Sequence, residues 1–579
     1  MNGDFRVGPW LVAPSLNSIS CKGTTVRLEP KVMEVLLCLA KHAGETLPKE
    51  TLFHAVWPDT FVTDDVLTHS ISELRRAFED DAREPRIIQT IPKRGYRLLA
   101  PVSAAHKAAS PAASAARDSI AVLPFVSMSA GPEDEFFADG ITEEIINALT
   151  QVPQLHVVAR SSAFSFKGKY VDPRLVGEQL SVRTVLEGSV RRAGSDLRIT
   201  AQLVNAADGF HLWSERYDRE MKDVFAIQDE IARAIVERLK VTLEGSGREP
   251  LVKAGTKNLE AYQLYVKGRA LLYRRGGAIP RAAEYFERAV ALDSDYALAW
   301  AGLADSYTTL GYYGLARPEA TMPKAMEGAR RAVALDPLLA EAHNALAMAC
   351  LVGTWDKAEA EREFLRALEL NPRYIQARDW YAFFYLQFAA GRLEEGVAQA
   401  KLAADSDPLS SYAHTVLGFT YTFAGKYDCA VQECERGVEL DSESYLARGC
   451  LLVALHCSKR FDEAVAVGEM ALAISGRHPW TMALLATTLA DWGKPADAEA
   501  IYAEMMGRAR RCYVQPCTLA LAASAAGLED EAIGHASEAF EIRDPMSQMF
   551  FSRVWPDSAR LRMYPRFHEI AADTGWLLK

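Results

Sequence analysis

A small residue recurs at a nearly constant interval through the second half of the chain, and this interval restricts the possible folds more than any other feature. The recurring positions are Ala282, Ala325, Ala360, Gly396, Ala430, Ala464, Ala498 and Ala532. They are spaced by 43, 35 and 36 residues, and then four times by 34 residues. A second residue, usually small, follows seven positions after each of them. Two helices cross closely only where a small side chain lies at the crossing, so the pattern predicts stacked helix pairs.

The period resembles the tetratricopeptide repeat, and "LDP", "LNP" and "SDP" at 335–337, 370–372 and 406–408 close three of the repeats in the expected way. The resemblance covers about eight repeats over residues 258–545, and residues 546–579 are expected to form a capping helix over the last apolar face. Such a solenoid implies a protein or peptide partner, or self-association.

Residues 102–118 are rich in Ala and Ser and lack apolar periodicity, which predicts a flexible linker. The linker separates a head, residues 1–101, from a middle block, residues 119–243. The middle block alternates strand-like and helical segments, and its "IAVLPF", "FADGITEEII" and "VLEGSVRR" resemble a TolB amino-terminal-like domain. We therefore expect a multidomain chain with an α/β middle domain and an all-α solenoid.

In the head, alternating residues over 5–28 predict a small antiparallel sheet, and two helices are expected after it. A third helix has Leu67, Ile71, Leu74 and Phe78 on one face, because they lie four, three and four residues apart. The opposite face is polar. It carries Asp65, His69, Ser72 and Arg76, with Thr68 and Arg75 at its borders.

An acidic turn, "DDAREP", follows the third helix, and "RIIQTI" and "YRLLAPV" then alternate as two strands around "PKRG". Gly95 allows a tight turn there. The order of sheet, three helices and hairpin, with the wording "LRRAF" and "IPKRGYRL", resembles an OmpR/PhoB-type winged helix-turn-helix of the CadC-like branch. The resemblance covers nearly all of 1–101, and it implies promoter DNA bound by a homodimer on repeated half-sites.

The same resemblance puts the third helix in the major groove and the basic hairpin tip on phosphates or in the minor groove. The expected DNA-binding residues are Thr68, His69, Ser72, Arg75, Arg76, Lys93, Arg94 and Arg97. If about five basic residues each neutralise a phosphate, log K should fall with log salt with a slope of roughly −4 to −5.

The charge distribution agrees with local rather than overall attraction to DNA. The whole chain has a formal net charge of −11, whereas residues 1–101 hold 13 Lys and Arg against 13 Asp and Glu. The acidic remainder repels DNA at long range, so any contact with DNA depends on basic residues gathered on one side of the head.

Motifs for catalysis are missing from the sequence. It contains no GxxxxGK[ST], no GxGxxG after a strand and no GxSxG. We therefore predict no catalytic residue, no metal ligand set and no cofactor. Two alternatives stay open: an enzyme with a nucleotide-using or hydrolytic middle domain regulated by the head, and a scaffold whose head binds protein only.

The compartment is predicted from what the sequence does not resemble. The start "MNGDFRVGPW" is unlike a signal peptide, and no apolar run approaches the roughly 18 residues of a membrane span. The nine cysteines are scattered without a CxxC pair, which is typical of reduced thiols. These features predict a cytoplasmic protein.

Overall fold

The computed structural model divides the chain into two compact units, residues 1–116 and residues 117–579. It describes residues 5–8, 10–14, 18–21, 24–57, 64–78, 80–81, 85–92, 94–100, 102–104, 118–129, 131–152, 154–239, 255–274, 276–552, 555 and 559–573. The first unit holds the head. The second unit holds the middle domain and the solenoid.

The head combines three helices with two small antiparallel sheets. Its elements are β1 (Phe5–Val7), β2 (Trp10–Ala13), β3 (Ser18–Cys21), β4 (Thr24–Arg27), α1 (Pro30–Lys41), β5 (Thr46–Leu47), α2 (Lys49–Val56), α3 (Asp64–Ala77), β6 (Ile88–Ile91), β7 (Gly95–Leu98) and β8 (Val102–Ala104). One sheet has the order β4-β3-β2-β1-β8, and the other has the order β5-β7-β6. The first three residues of the predicted linker thus form a strand, which pairs with β1.

The core of the head lies between α3, α1 and the sheets. Leu67, Ile71 and Leu74 are at most 1% exposed, as their spacing on α3 predicts. Phe78, just after α3, contacts Trp10 of β2 edge to face, with ring centroids 5.6 Å apart. The third helix is therefore fixed from both the helical and the strand side, and its polar face reaches solvent.

The middle domain is a mixed sheet with helices packed on it. Its elements are β9 (Ser119–Val122), β10 (Val126–Ser127), α4 (Pro132–Thr150), β11 (His156–Val157), α5 (Arg160–Phe164), α6 (Pro173–Leu180), β12 (Thr184–Ala193), β13 (Asp196–Asn205), β14 (His211–Glu220) and α7 (Val224–Arg238). The sheet order is β11-β9-β12-β13-β14, and β10 also pairs with β12. Strands β11, β9 and β12 run parallel, and β12 to β14 form an antiparallel meander.

The solenoid consists, over the described residues, of eight helix pairs and a short cap. The pairs are α8 (Leu259–Arg274) with α9 (Ile279–Leu292), α10 (Ala297–Tyr312) with α11 (Pro318–Leu335), α12 (Ala340–Met348) with α13 (Lys357–Leu370), α14 (Ile375–Trp380) with α15 (Leu393–Ser406), α16 (Ser411–Phe423) with α17 (Tyr427–Leu440), α18 (Tyr445–Cys457) with α19 (Phe461–Ser475), α20 (Pro479–Asp491) with α21 (Pro495–Ala509), and α22 (Pro516–Ala525) with α23 (Glu529–Glu541). The cap contains α24 (Ser547–Phe550) and α25 (Pro565–Asp573). Wider π-helical turns continue α12 to Thr354 and α14 to Ala389.

The recurring small residues explain this architecture. All eight of them lie in the second helix of a pair and are buried. At Gly396 an added Cβ would lie 3.2 Å from the carbonyl oxygen of Ala382 in the first helix of the same repeat. The predicted fold class, a winged head, a sheet-containing middle domain and a helical repeat region, is confirmed.

A hydrogen bond between the first helix of a repeat and the turn before it recurs with the same period, and it was not predicted. In five successive repeats, a donor side chain on the first helix bonds the carbonyl oxygen six residues earlier. The donors are Trp300, His343, Arg378, His414 and Arg448, and the acceptors are Ser294, Pro337, Pro372, Pro408 and Ser442. This bond satisfies a carbonyl group in the turn between repeats and fixes the angle at which each new pair begins.

The middle domain and the solenoid share one hydrophobic core. Helix α4 packs on α8 so closely that a Cβ on Gly140 would lie 2.6 Å from a methyl group of Val266. Farther along, the buried carboxylate of Asp407 accepts hydrogen bonds from Ser161 Oγ at 2.6 Å and from the Ser162 backbone N–H at 2.9 Å. These contacts fix the middle domain against the repeats.

Two neighbouring carboxyl groups on α4 have opposite environments at this seam. Glu143 accepts hydrogen bonds from Arg160, Arg269 and Tyr273. Burial raises its pKa, but Arg269 and Arg160 outweigh burial and leave the pKa below its usual value. For Glu144, burial and the adjacent charge of Glu143 raise the pKa to about 8. The seam thus holds one carboxylate that is stabilised by cations and one carboxyl that resists ionisation.

Candidate nucleic-acid interface

The exposed face of α3 carries most of the residues that the sequence predicts for reading DNA. Thr68, His69, Ser72 and Arg76 are all exposed, opposite the buried row of Leu67, Ile71 and Leu74. Thr68 Oγ1 donates to the carbonyl oxygen of Asp64, and Ser72 Oγ donates to that of Thr68, both at 2.9 Å. Each hydroxyl oxygen still offers its acceptor side to a ligand in front of the helix.

Arg75, at the border of this face, holds the helix against the hairpin. Its Nη2 donates to the carbonyl oxygen of Ile88 at 2.9 Å and to Thr90 Oγ1 at 2.8 Å, and its Nε donates to the same carbonyl at 3.3 Å. Both acceptors belong to β6. The predicted phosphate contact of Arg75 stays a prediction, and the structure adds a role in positioning.

The acidic turn after α3 has a structural reason that the sequence interpretation missed. Asp80 Oδ1 accepts hydrogen bonds from the backbone N–H groups of Arg86 and Ile87, at 2.7 and 3.1 Å. Its Oδ2 accepts one from Ile88 at 2.8 Å. One carboxylate therefore fixes the chain where it enters β6, and Arg75 fixes the same strand from the helix side.

The hairpin tip is set by Gly95, whose φ is +129°. A Cβ at this position would lie 1.9 Å from the carbonyl oxygen of Leu47 in β5, so the close pairing of β5 and β7 requires glycine as well. Arg94 beside it is exposed, and Lys93 lies outside the described residues. Arg97 is half-buried, and its Nη2 donates to Thr46 Oγ1 of β5 at 2.7 Å.

The first turn of α3 is also held in place. Lys49, in the first turn of α2, forms an ion pair with Asp64. The hydrogen bond to Asp64 raises the pKa of Lys49. The two helices of the helix-turn-helix are therefore linked at the turn, and Asp64 is engaged away from the polar row of α3.

The structure brings the predicted residues into two groups. His69, Ser72 and Arg76, with Thr68 at the border, form an exposed row on α3, and Arg94 is exposed at the hairpin tip. Arg75 and Arg97 instead bind neighbouring strands. Their partners Thr90 and Thr46 were not identified from the sequence, because they lie 15 and 51 residues from their arginines along the chain and only the fold brings them together.

Among the described residues, no group of three or more His, Cys, Asp or Glu side chains is arranged to hold a metal ion. No described helix combines the length and the apolar character needed to cross a bilayer.

Three helices, a linked turn, a polar exposed face on the third helix and a hairpin behind it define a winged helix-turn-helix domain. Residues 23–98 match the family model of the transcriptional regulatory protein C-terminal domain, and residues 115–234 match that of the second domain of HilA/YgeH-like transcriptional regulators. The chain carries an OmpR/PhoB-type DNA-binding domain.

Three known proteins illustrate the similarity. Putative adenylate cyclase 3 of Rhizobium meliloti is 42% identical over 237 residues, which is 40% of each chain. Transcriptional activator CadC of Escherichia coli is 48% identical over 98 residues, 17% of this chain and 19% of CadC. Transcriptional regulator HilA of Salmonella typhimurium is 25% identical over 410 residues, 69% of this chain and 70% of HilA. The chain thus spans less than half the length of the first two.

These matches confirm the predicted OmpR/PhoB-type, CadC-like head. The middle block is similar to a domain of HilA-like regulators, and its predicted TolB amino-terminal-like character stays a prediction.

Proposed function

We propose that this chain is a sequence-specific transcriptional regulator that places the exposed face of α3 in the major groove of promoter DNA. Support comes from one observation above all: the polar row of α3 is open to solvent while the opposite row is fully buried. His69 and Ser72 offer hydrogen-bonding groups to base edges, and Arg76 reaches a base edge or a phosphate at the helix end.

We further propose that the hairpin tip contacts the DNA backbone. Arg94 and Lys93 supply the positive charge there, with Arg97 and Arg75 adding charge from behind while they hold the strands. Arg75 connects the two DNA contacts physically, because it belongs to α3 and binds β6. A change in the hairpin is therefore expected to alter the angle at which α3 meets the groove.

We propose that the middle domain and the solenoid bind a partner and do not catalyse a reaction. A cavity of about 750 Å³ lies between the middle domain and the solenoid, with Asn147 and Arg160 on one side and Tyr273, Arg373 and Gln376 on the other. This volume falls within the range of about 300 to 1,000 Å³ found for small-ligand sites. The repeats are proposed to bind a protein or peptide, or a second copy of the chain, in the cytoplasm.

The alternative of an enzymatic middle domain is favoured by one relative, whose name is putative adenylate cyclase. We propose that the present chain acts without catalysis. Support comes from the acidic and basic groups of α4 and α5, because Glu143 and Arg160 are used to join the middle domain to Arg269 of the solenoid. Cyclic AMP production from ATP and Mg²⁺ by the purified full chain would establish the alternative.

The test of the proposed function is recovery of genomic fragments by the full-length protein, followed by footprinting. His69→Ala and Ser72→Ala are expected to change which fragments are recovered, because these side chains face the bases. Thr51→Ala, at an exposed position of α2, is the matched control and should recover the fragments of the unchanged protein. Recovery without sequence preference, or the same fragments for all four proteins, would refute the proposed reading of DNA.

A further inference from the structure

Strand β14 forms one long edge of the middle sheet, and no other described strand pairs with that edge. It is the last strand in the sheet order, and among the described residues it pairs with β13 alone. Eight of its ten residues are exposed, and only Trp213 and Tyr217 are buried, on the face covered by helices. Natural proteins rarely leave a strand of this length open, since its free N–H and C=O groups form a template for another strand.

The charges along β14 are complementary to the same strand running in the opposite direction. If a two-fold axis normal to the sheet relates the two copies, the helix-covered faces of both copies lie on the same side of the joined sheet. The residue on this axis then lies directly opposite the same residue of the second copy. With Tyr217 on that axis, Glu215 faces Arg219 and Arg216 faces Asp218 in the second copy. Oppositely charged side chains then face each other at four places along the joined strands.

The neighbouring registers lack this property. Placing Glu215, Arg216 or Asp218 on the axis sets two like charges directly opposite each other, which destabilises a strand pair. Each of these registers slides one strand past the other by an even number of residues. A slide of one residue is excluded, because it would turn the helix-covered face of one copy to the other side of the joined sheet.

The existing contacts of these charges do not oppose the pairing. Asp218 lies 2.5 Å from Arg198 and 2.9 Å from Arg216, and Arg219 lies 4.0 Å from Glu230. Tyr217 OH donates to Glu215 at 3.3 Å on the same strand. The three ion pairs are largely solvent-exposed, and exposed ion pairs contribute little to stability, so a second copy can share or replace them at small cost.

We propose that two copies of this chain associate through β14 in the register centred on Tyr217, forming one continuous sheet across the dimer. This names the surface for the homodimer that the proposed DNA binding calls for, and in that sense it rests on the proposed function. Self-association through β14 requires no DNA, however, and it is measured separately.

The test is sedimentation velocity of the full-length protein without DNA, from low to high micromolar concentration. We expect a monomer–dimer equilibrium. Glu215→Arg alone and Arg219→Glu alone each put like charges opposite each other, and each should weaken the dimer about tenfold or more. The double variant Glu215→Arg/Arg219→Glu restores opposite charges at the same places and should restore the dimer.

The control for folding is the far-ultraviolet circular dichroism spectrum, which should be the same for all four proteins because both positions are exposed. The proposed interface is refuted if the unchanged protein is a monomer at every concentration, if the single variants dimerise as well as it does, or if the double variant dimerises no better than the single variants. If the unchanged protein stays a monomer without DNA but still recovers specific genomic fragments, the β14 interface is wrong and the proposed DNA binding stands.

Discussion

The head and the solenoid use helices in different ways. In the head, α3 buries one row of apolar side chains and exposes a row of polar ones, and each exposed side chain is a candidate for a specific contact. In the solenoid, the first helix of most pairs is largely buried. Helix α20, for example, has eleven buried residues out of thirteen. The head therefore offers individual side chains, whereas the solenoid offers a shape.

This difference explains why the function of the head can be derived from the sequence more easily than that of the solenoid. A domain that acts through a few exposed side chains on a local scaffold reveals its chemistry through residue types and spacing. A repeat reveals its architecture through the period, but the period describes packing and says nothing about the partner. Substitutions in the two regions should therefore have separable effects.

Gly95→Ala is the largest expected perturbation, and it should affect the head alone. The added Cβ meets the Leu47 carbonyl oxygen, and the positive φ strains any L-residue, so the head should lose about 3 kcal/mol or more. Gly44→Ala is the matched control, because Gly44 also has a positive φ, of +84°, but open space around its Cα. Hydrogen exchange of the full-length protein should be faster in head peptides for Gly95→Ala than for Gly44→Ala, because Gly44→Ala adds backbone strain without a clash. Equal protection in the two variants would contradict the close pairing of β5 and β7.

Glu144→Gln tests the seam of the second unit through its pH dependence. The pKa of Glu144 is raised to about 8 in the folded chain, so between the unfolded pKa and pH 8 the folded state binds the proton more strongly. Stability should therefore fall as the pH rises, by about 3 kcal/mol between pH 5.5 and 8.5, and Glu144→Gln should remove that fall.

The measurement for Glu144 is urea unfolding of the second unit at pH 5.5, 7 and 8.5, followed by circular dichroism. Glu178→Gln, an exposed position on α6, is the control and should leave the profile of the unchanged protein. A Glu144→Gln profile that still falls with pH would show that another group is responsible.

Ala430→Leu tests the repeat by overpacking one crossing. Ala430 is fully buried in α17, so the larger side chain should destabilise the second unit by about 2 kcal/mol. Cys429→Leu introduces the same side chain at the adjacent exposed position and should be nearly neutral. The test is the urea midpoint of the full chain, with DNA binding by the head unchanged in both variants. Loss of DNA binding in Ala430→Leu alone would break the separation of the two regions.

Substitutions of Arg75 have the smallest expected effect, and they test whether this residue of α3 positions the hairpin or acts only through its charge. If it positions the hairpin, Arg75→Ala and Arg75→Lys should both loosen β6, because lysine cannot reproduce the fork to the Ile88 carbonyl and Thr90. The expected loss is about 1 to 2 kcal/mol, seen as faster exchange in the β6 peptide. If Arg75→Lys exchanges like the unchanged protein, the charge alone matters and the positioning role is wrong.

Periodicity predicted the solenoid, its eight small-residue anchors and the apolar face of α3, because each of these depends on residues close in sequence. Contacts between distant segments were beyond reach. Three sets of hydrogen bonds are of this kind. They join Arg75 to β6, Asp80 to three backbone N–H groups at the start of β6, and Asp407 to Ser161 and Ser162. Only the fold brings these segments together. Strand β14 was missed for another reason, since its ten residues are mostly charged or polar and show little apolar alternation.

The most direct test of the central claim, that α3 and the hairpin tip bind one DNA duplex, is the salt dependence of DNA binding. The unchanged protein should show a slope of log K against log salt of roughly −4 to −5, and Arg76→Ala/Arg94→Ala should reduce its magnitude by about two. Lys41→Ala, which removes one exposed charge at the end of α1, should leave the slope unchanged. A slope near zero for the unchanged protein, or the same slope for all three proteins, would contradict the account.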